Sequence, residues 1–151
     1  MKEETLYLDT SVPSAYYDDR AKERQGATIK FWKHTLKNYR PCLSEITVEE
    51  LEATKDPRLR RNFRRLIKGI KILKVNQGVR DLARIYVDRG IFPEKYVDDA
   101  LHVAAASIYE VAYLASWNFE HLVKVRTRKL VNSVNVVKGF NEIEIISPQE
   151  L

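Results

Sequence analysis

Five short apolar runs alternate along the chain with longer segments in which apolar residues recur at helical spacing. The runs lie at residues 5–9, 39–44, 70–75, 111–117 and 142–146. Apolar residues follow one another in these runs instead of alternating with polar ones, which is typical of strands buried on both faces. With helices between the strands, the pattern predicts an α/β domain whose central sheet is mainly parallel and covered on both sides.

Local signals place the helices between these strands. Ser44 or Thr47 can cap a helix that follows the second run, and Pro57 after Asp56 is a favourable helix start. Gly90 is a suitable residue to end a helix. Residues 10–13 predict a turn after the first strand. The predicted helices span residues 20–38, 44–51, 57–68, 78–89, 93–109 and, as a short one, 118–124.

The size and composition of the chain bound its organisation. A length of 151 residues, with 44% hydrophobic and 31% charged residues, is typical of one folded domain. The sequence contains no linker or repeat, so we expect a single domain over residues 1–151. These numbers argue against wholesale disorder and against a two-domain enzyme.

Cysteine usage and hydropathy predict where the protein acts. Cys42 is the only cysteine, which excludes an internal disulfide and a cysteine-based zinc cluster. Three of the first five residues are charged, and the longest apolar stretch, 100–116, is interrupted by His102 and Glu110. We therefore expect a cytoplasmic protein that is neither secreted nor inserted in a membrane.

The charge of the chain favours a polyanionic partner. Twenty-six Lys and Arg residues against twenty-one Asp and Glu leave a net charge of +5. Two basic runs stand out, and each is also explained as a solvated helix face. Beside a catalytic site, they would instead hold nucleic-acid phosphates, with Arg61, Arg64 and Arg65 as the leading candidates. The runs consist of Arg58, Arg60, Arg61, Arg64, Arg65 and Lys68, and of Lys124, Arg126, Arg128 and Lys129.

Oxygen-bearing side chains follow several of the predicted strands. Asp9 ends the first strand, Glu50 lies in the helix after the second, and Asn118 follows the fourth. Asp98 and Asp99 begin the helix that precedes the fourth strand. The carboxyl ends of parallel strands meet at one edge of a sheet, and clustered carboxylates repel each other unless a cation joins them. The pattern predicts a site for Mg²⁺ or Mn²⁺, an ion able to promote phosphodiester hydrolysis.

Each of these residues also has a structural explanation. Asp9 can cap the following turn, Glu50 can form a capping box with Thr47, and Asn118 is a common helix cap. Asp98 and Asp99 suit the first turn of any helix. Because adjacent helical positions face about 100° apart, at most one of the two is expected to face the site.

The histidines and aromatic residues leave further alternatives open. His102 follows Asp99 by three residues, so it is either a buried, hydrogen-bonded histidine or a group that tunes the site or transfers a proton. His121 follows Asn118 by three residues and can support the same edge. Trp117 and Tyr16 or Tyr17 are candidates for stacking on unpaired bases, with core packing the alternative for Trp117.

Four segments together resemble the successive motifs of PIN domains, among them the VapC-type toxins, in order and spacing over nearly the whole chain. The resemblance implies an α/β/α sandwich, a ribonuclease activity that depends on Mg²⁺ or Mn²⁺, and frequent dimerisation. The segments are Leu-Tyr-Leu-Asp-Thr-Ser at 6–11, Ser-Glu-Ile-Thr-Val-Glu-Glu-Leu at 44–51, Asp-Ala-Leu-His-Val-Ala-Ala-Ala at 99–106 and Leu-Ala-Ser-Trp-Asn-Phe at 114–119.

The resemblance implies a role for individual residues. Asp9, Glu50 and Asp99 match the acidic catalytic positions, with Asp9 and Asp99 as metal ligands. Glu49 is a weaker match than Glu50, because the family's acid directly precedes the leucine. Many relatives have Thr-x-Asp where this chain has Ser-Trp-Asn at 116–118, so a neutral amide replaces a fourth acid. The supporting residues of this interpretation are Asp98, His102, Ser116 and Asn118.

We therefore expect a PIN-like endoribonuclease that cleaves RNA with Mg²⁺ or Mn²⁺, forms a homodimer and, as the toxin of a toxin–antitoxin pair, binds a small antitoxin at its acidic groove. Two rival hypotheses remain. The neutral Asn118 favours a catalytically weak PIN-like module that binds RNA or a protein partner. A metal-dependent DNA nuclease would use the same chemistry on another substrate.

Overall fold

The computed structural model describes residues 3–151. A single sheet of five parallel strands has the order β3-β2-β1-β4-β5. The strands are β1 (Thr5–Leu8), β2 (Arg40–Ser44), β3 (Lys71–Leu73), β4 (Tyr113–Ala115) and β5 (Glu144–Ile146). In the described part of the chain the α-helices are α1 (Ser11–Tyr16), α2 (Lys22–Lys30), α3 (Glu45–Glu52), α4 (Pro57–Ile67), α5 (Gln77–Asp88), α6 (Val97–Ile108) and α7 (Val125–Val137).

Strand β1 lies at the centre of the sheet, where its two faces bury different side chains. Leu6 and Leu8 pack into one hydrophobic cluster with residues of α1 and the segment after α2. Tyr7 points the other way, into the larger cluster formed with α5, α6 and α7. Alternate residues of a strand face opposite sides, so one short segment holds both helical layers on the sheet. The result is the α/β/α sandwich that the sequence predicts.

The direction in which the sheet grows reverses at β1. The chain adds β2 and then β3 on one side, and it returns to add β4 and β5 on the other. In open parallel sheets, a crevice forms outside the carboxyl ends of the strands at such a switch point. Residue 9, directly after β1, therefore lies at the mouth of this crevice, and the register pairs Leu8 with Ala115 at the end of β4.

Local signals explain where several helices begin and end. The Ser44 hydroxyl accepts a hydrogen bond from the Ile46 N–H at 3.2 Å and caps α3. Thr47 is buried inside that helix and donates to the Leu8 carbonyl at 3.4 Å, so it forms no capping box with Glu50. Asp56 caps α4, and Gly90 follows the end of α5 with a φ of +75°, which favours glycine.

Two predictions of local structure are wrong. Residues 10–13 do not form only a turn, because α1 begins at Ser11, with Pro13 in its first turn, where proline is tolerated. Residues 118–124 form successive turns instead of a helix, and the helix that follows them, α7, was not predicted. Its many valines have low helix propensity, and tertiary packing of its apolar face overrides that preference.

Two of the predicted helices are irregular. The segment predicted as one helix over 20–38 is α2, continued by a π-helical turn (Phe31–Thr35) and a 3₁₀ turn (Leu36–Asn38). The segment predicted over 93–109 begins with a 3₁₀ turn (Glu94–Tyr96) before α6. Within residues 3–151, no helix has the length and apolar character needed to cross a membrane.

Candidate functional site at the carboxyl ends of the central strands

Asp9 is a buried carboxylate, only 4% exposed, at the end of β1. Its Oδ1 accepts hydrogen bonds from the backbone N–H of Ser11, at 3.1 Å, and from the Ser11 hydroxyl. Its Oδ2 accepts one from the Ser116 hydroxyl at 2.7 Å. Burial raises the pKa of the Asp9 carboxyl, although the charge of His102 and the two serine hydroxyls act in the opposite direction. The side chain is thus fixed by neutral donors while its charge is poorly solvated.

Glu50 is held on the adjacent helix by two residues. Its Oε1 accepts a hydrogen bond from the Thr10 hydroxyl at 2.8 Å and lies 2.6 Å from His102 Nε2. Burial favours the neutral acid, but the hydrogen bond and charge of His102 outweigh it and lower the pKa of Glu50. Glu50 is therefore kept ionised at the edge of the sheet.

His102 connects Glu50 to the core. The imidazole is buried in α6, and its Nδ1 lies 2.7 Å from the hydroxyl of Tyr7, which in turn contacts the Ser44 hydroxyl at 2.7 Å. Burial lowers the pKa of His102, yet Glu50, Asp9 and Asp99 together raise it above its ordinary value. The imidazole thus links Glu50 to the core, and the surrounding acids favour its charged form.

Asp99 is paired with the second histidine of this edge. Its Oδ2 lies 3.0 Å from His121 Nδ1, and the His121 ring stacks obliquely on Tyr96 with ring centroids 4.1 Å apart. Burial raises the pKa of Asp99, with the repulsion of Glu50 added, while His121 and His102 oppose the change. The neighbouring Asp98 is exposed, so Asp99 is the member of the pair that lies against the other acids.

Asn118 forms the turn that carries His121. Its side-chain Oδ1 accepts a hydrogen bond from the His121 backbone N–H at 2.9 Å. Its own backbone N–H donates to the Ser116 hydroxyl, also at 2.9 Å. The residue therefore serves as a cap, and it links the partner of Asp9 to the partner of Asp99.

The donor set fits a divalent cation that keeps much of its water. Among residues 3–151, no three acidic, histidine or cysteine side chains are arranged as a ready-made metal cluster. The acids nevertheless lie close enough for Asp99 to raise the pKa of Asp9 and for Glu50 to raise that of Asp99. Mg²⁺ usually binds through one or two carboxylates and several waters. Asp9 and Asp99 satisfy that requirement without a closed protein cage.

Three contributors to this edge were not singled out from the sequence. Tyr7, Thr10 and Ser11 all lie within the first motif, and their hydroxyls position His102, Glu50 and Asp9 respectively. Serine and threonine directly after a strand-ending aspartate were a usable signal. Tyr7 carried none, because a tyrosine in an apolar strand is ordinarily a core residue.

The basic residues of α4 lie beside α1, which follows Asp9. The Tyr17 hydroxyl donates to the Asn62 carbonyl at 3.4 Å and joins this helix to the segment after α1. Arg61, Arg64 and Arg65 are exposed, but the Arg64 Nε donates to Glu52 Oε1 at 2.6 Å. Arg61 and Arg65 form no ion pair within residues 3–151, so their charges remain available to an anion.

The aromatic residues considered for base stacking are largely packed. Trp117 is only 5% exposed, and its indole N–H donates to the Thr28 hydroxyl at 2.9 Å. Tyr16 contacts Trp32 edge-on, and Tyr17 contacts Phe63 in the same way. Core packing therefore accounts for Trp117.

Neither a protein-family model nor a curated protein matches the sequence. Solved structures do match. VapC20 of Mycobacterium tuberculosis, described as a sarcin–ricin loop cleaving toxin, has a TM-score of 0.59 and 15% identity over 92% of this chain and 98% of its own. A chain of VapBC-1 from nontypeable Haemophilus influenzae has a TM-score of 0.59 and 15% identity over 96% and 98%.

A third structure extends the comparison. VapBC2 from Rickettsia felis, bound to a DNA fragment from its promoter, matches with a TM-score of 0.56 and 11% identity over 93% of this chain and 96% of its own. Nearly full coverage of both chains, together with the parallel sheet and its flanking helices, confirms the predicted resemblance at the level of the fold. The chain therefore has the PIN-like α/β/α fold of the VapC toxins.

Proposed function

We propose that the protein is an endoribonuclease that depends on Mg²⁺ or Mn²⁺. The observation that carries this proposal is the meeting of Asp9, Glu50 and Asp99 at the switch point of the sheet, with serine, threonine and histidine side chains fixing each one. The fold is shared with a toxin described as cleaving the sarcin–ricin loop.

The residues divide the work of phosphodiester hydrolysis. A cation held by Asp9 and Asp99 would stabilise the negative charge that develops on the scissile phosphate. Ser11 and Ser116 keep the Asp9 oxygens in one orientation. Glu50 is ionised, and its Oε1 is fixed by Thr10 and His102, so its Oε2 is suited to accept a hydrogen bond from the attacking water and orient it.

The proposal is tested with a labelled single-stranded RNA and a single-stranded DNA of the same sequence. We expect RNA cleavage in Mn²⁺ or Mg²⁺, loss of cleavage in EDTA, and recovery when the cation is restored in excess. RNA cleavage at the same rate in EDTA would overturn the metal dependence. Equal cleavage of the DNA would favour the DNA-nuclease hypothesis instead.

A weak or inactive binding module is the second candidate function. It is favoured by Asn118, whose carbonyl oxygen is used as a cap and which supplies no fourth carboxylate. RNA binding without cleavage in any divalent cation would establish this alternative.

Arg61 and Arg65 of α4 are proposed to hold RNA phosphates on the approach to the site, whereas Arg64, also predicted from the sequence, is paired with Glu52. Joint replacement of Arg61 and Arg65 by Ala should weaken RNA binding and reduce the slope of log affinity against log salt by about 1.4, since each single-strand phosphate contact contributes about 0.7. Filter binding from 50 to 300 mM salt, a range set by the screening of such contacts, measures the slope. Arg64→Ala is the matched control, because Arg64 is already paired with Glu52. An unchanged slope in the double variant would leave α4 a solvated face.

The proposed partners follow from the same fold. Two of the similar structures are VapBC assemblies, one of them on promoter DNA. We propose that a small antitoxin protein covers the acidic edge and that two copies of the chain form a homodimer in the cytoplasm. Exposed apolar residues of α7, including Val136 and Val137, are available for a contact between copies.

A further inference from the structure

An exposed aromatic ring lies directly beyond the candidate site. Phe119 is 48% exposed, whereas Trp117, two residues earlier, is buried. The Phe119 backbone N–H donates to the Trp117 carbonyl at 3.0 Å, and the two rings meet edge-on with centroids 6.2 Å apart. Trp117 is itself anchored to Thr28. The Phe119 ring is therefore exposed to solvent, and the residues on which it packs are held in place.

The ring borders a groove that also carries positive charge. A cavity of about 510 Å³ lies between the start of α2 and the loop after β4. Its volume falls within the range of small-ligand pockets, about 300–1,000 Å³. The Arg24 guanidinium lies 5.5 Å from the Trp117 ring centroid, a cation–π contact that holds it at the groove. The groove is lined by Lys22, Glu23, Arg24, Trp117, Phe119 and Gln149.

The loop that lines this groove is hydrogen bonded to the acidic edge. The Ser11 hydroxyl donates to Asp9 and accepts a hydrogen bond from the Trp117 N–H at 2.8 Å. The Ser116 hydroxyl donates to the other Asp9 oxygen and accepts one from the Asn118 N–H. The loop that ends in Phe119 is thus tied to Asp9 by the same hydroxyls that orient its carboxylate. The groove and the acids therefore share one rigid loop.

We propose that the groove is a nucleotide subsite, in which an unpaired base of single-stranded RNA stacks on Phe119 while a phosphate lies near Lys22 and Arg24. A flat exposed ring beside two cations matches the two chemical parts of a nucleotide. The single acid, Glu23, leaves the lining with a net positive charge. The proposal rests on the proposed function, because the subsite would hold the nucleotide next to the scissile phosphate.

Binding measured without cleavage tests the subsite separately from catalysis. The probe is a short fluorescent single-stranded RNA in EDTA, together with a series in which one nucleotide at a time is abasic. Phe119→Ala should weaken binding of the intact RNA by roughly fivefold or more, the effect of losing one base–aromatic stack. Phe119→Tyr should bind like the wild type, and Phe119→Leu, which is apolar without a flat ring, should bind like Phe119→Ala.

The abasic series identifies the stacked base. At one position, removing the base should weaken binding to the wild type but not to Phe119→Ala, because the variant has already lost that contact. Ile72→Ala, which trims an apolar residue of β3 that is as exposed as Phe119, is the control and should behave as the wild type. Joint replacement of Lys22 and Arg24 by Gln should lower the salt dependence of binding.

The outcomes separate the subsite from the nuclease. Equal binding by wild type and Phe119→Ala, or absence of RNA binding, would overturn the subsite even if RNA is cleaved. The subsite would also be overturned if Phe119→Ala lost binding to a protein partner but bound RNA like the wild type. Phe119-dependent RNA binding by a protein that cleaves nothing in Mn²⁺ would support the subsite and contradict the proposed nuclease.

Discussion

The Asp9→Asn variant is expected to lose at least about a hundredfold in RNA cleavage while remaining folded. Removing this charge weakens the hold on a cation whose Lewis-acid contribution is several kcal/mol, and each 1.4 kcal/mol is about tenfold in rate. The amide is nearly the same shape as the carboxylate and keeps an oxygen for Ser11 or Ser116. Single-turnover cleavage in Mn²⁺ measures the loss.

The thermal stability of the same variant distinguishes a lost ligand from a damaged fold. Because burial raises the pKa of Asp9, its charged form destabilises the metal-free protein at neutral pH, and the neutral amide removes that penalty. In EDTA, Asp9→Asn should therefore melt at the same or a higher temperature than the wild type. Added Mn²⁺ should raise the melting temperature of the wild type only.

The two adjacent acids of α6 provide a matched pair of variants. Asp99→Asn should reduce cleavage as strongly as Asp9→Asn, because Asp99 lies against Glu50 and His121. Asp98→Asn removes the same charge from an exposed position one residue earlier and should retain cleavage. Full activity of both Asp9→Asn and Asp99→Asn would show that the site has been placed wrongly.

Replacement of His102 by Ala should lower the free energy of unfolding by about 2–4 kcal/mol. The change leaves a cavity in α6 and removes the partner of the Tyr7 hydroxyl inside the core. The melting temperature should fall by roughly 5–15 °C for a chain of this size. Denaturant unfolding followed by circular dichroism measures the difference, and a loss below about 1 kcal/mol would contradict the buried bridge, since surface substitutions stay within that range.

The pH dependence of stability tests the charge of His102. A histidine whose pKa is raised in the folded state contributes stability that is complete below its unfolded pKa, about 6.5, and is lost as the pH rises through the folded value. In EDTA, the free energy of unfolding of the wild type should therefore fall as the pH rises above about 6.5. His102→Gln, which can still hydrogen bond but cannot titrate, should flatten this decline. Parallel curves for the two proteins would show that His102 is neutral when folded.

The sheet was largely predictable because its strands are short, continuous apolar runs. The apolar run at residues 5–9 predicted β1 within one residue. Continuous apolar runs indicate strands buried on both faces, which is typical of a parallel sheet. The region after β4 was not predictable in the same way. Asn118 is as good a cap for a turn as for a helix, and the valines of α7 favour strands in isolation.

The acids of the candidate site and their partners His102, His121 and Ser116 were named from the sequence, whereas Tyr7, Thr10 and Ser11 were not. Asp9 follows a strand end, Glu50 lies in the helix after the next strand and Asp99 lies in the first turn of α6, so the topology alone brings them to one edge. The pairing of Tyr7 with His102 joins residues 95 positions apart. Such a contact depends on side-chain packing between α6 and β1, which no local pattern in the sequence encodes.

The position of β1 in the sheet also sets the order in which a growing chain can complete the site. Strand β4 and Ser116 are the last elements to reach Asp9, across 107 residues of sequence. Until a ribosome has translated past residue 116, β1 has an open edge on that side and the Asp9 carboxylate lacks one of its anchors. For the proposed ribonuclease, a nascent chain that ends before residue 116 therefore cannot present the complete site.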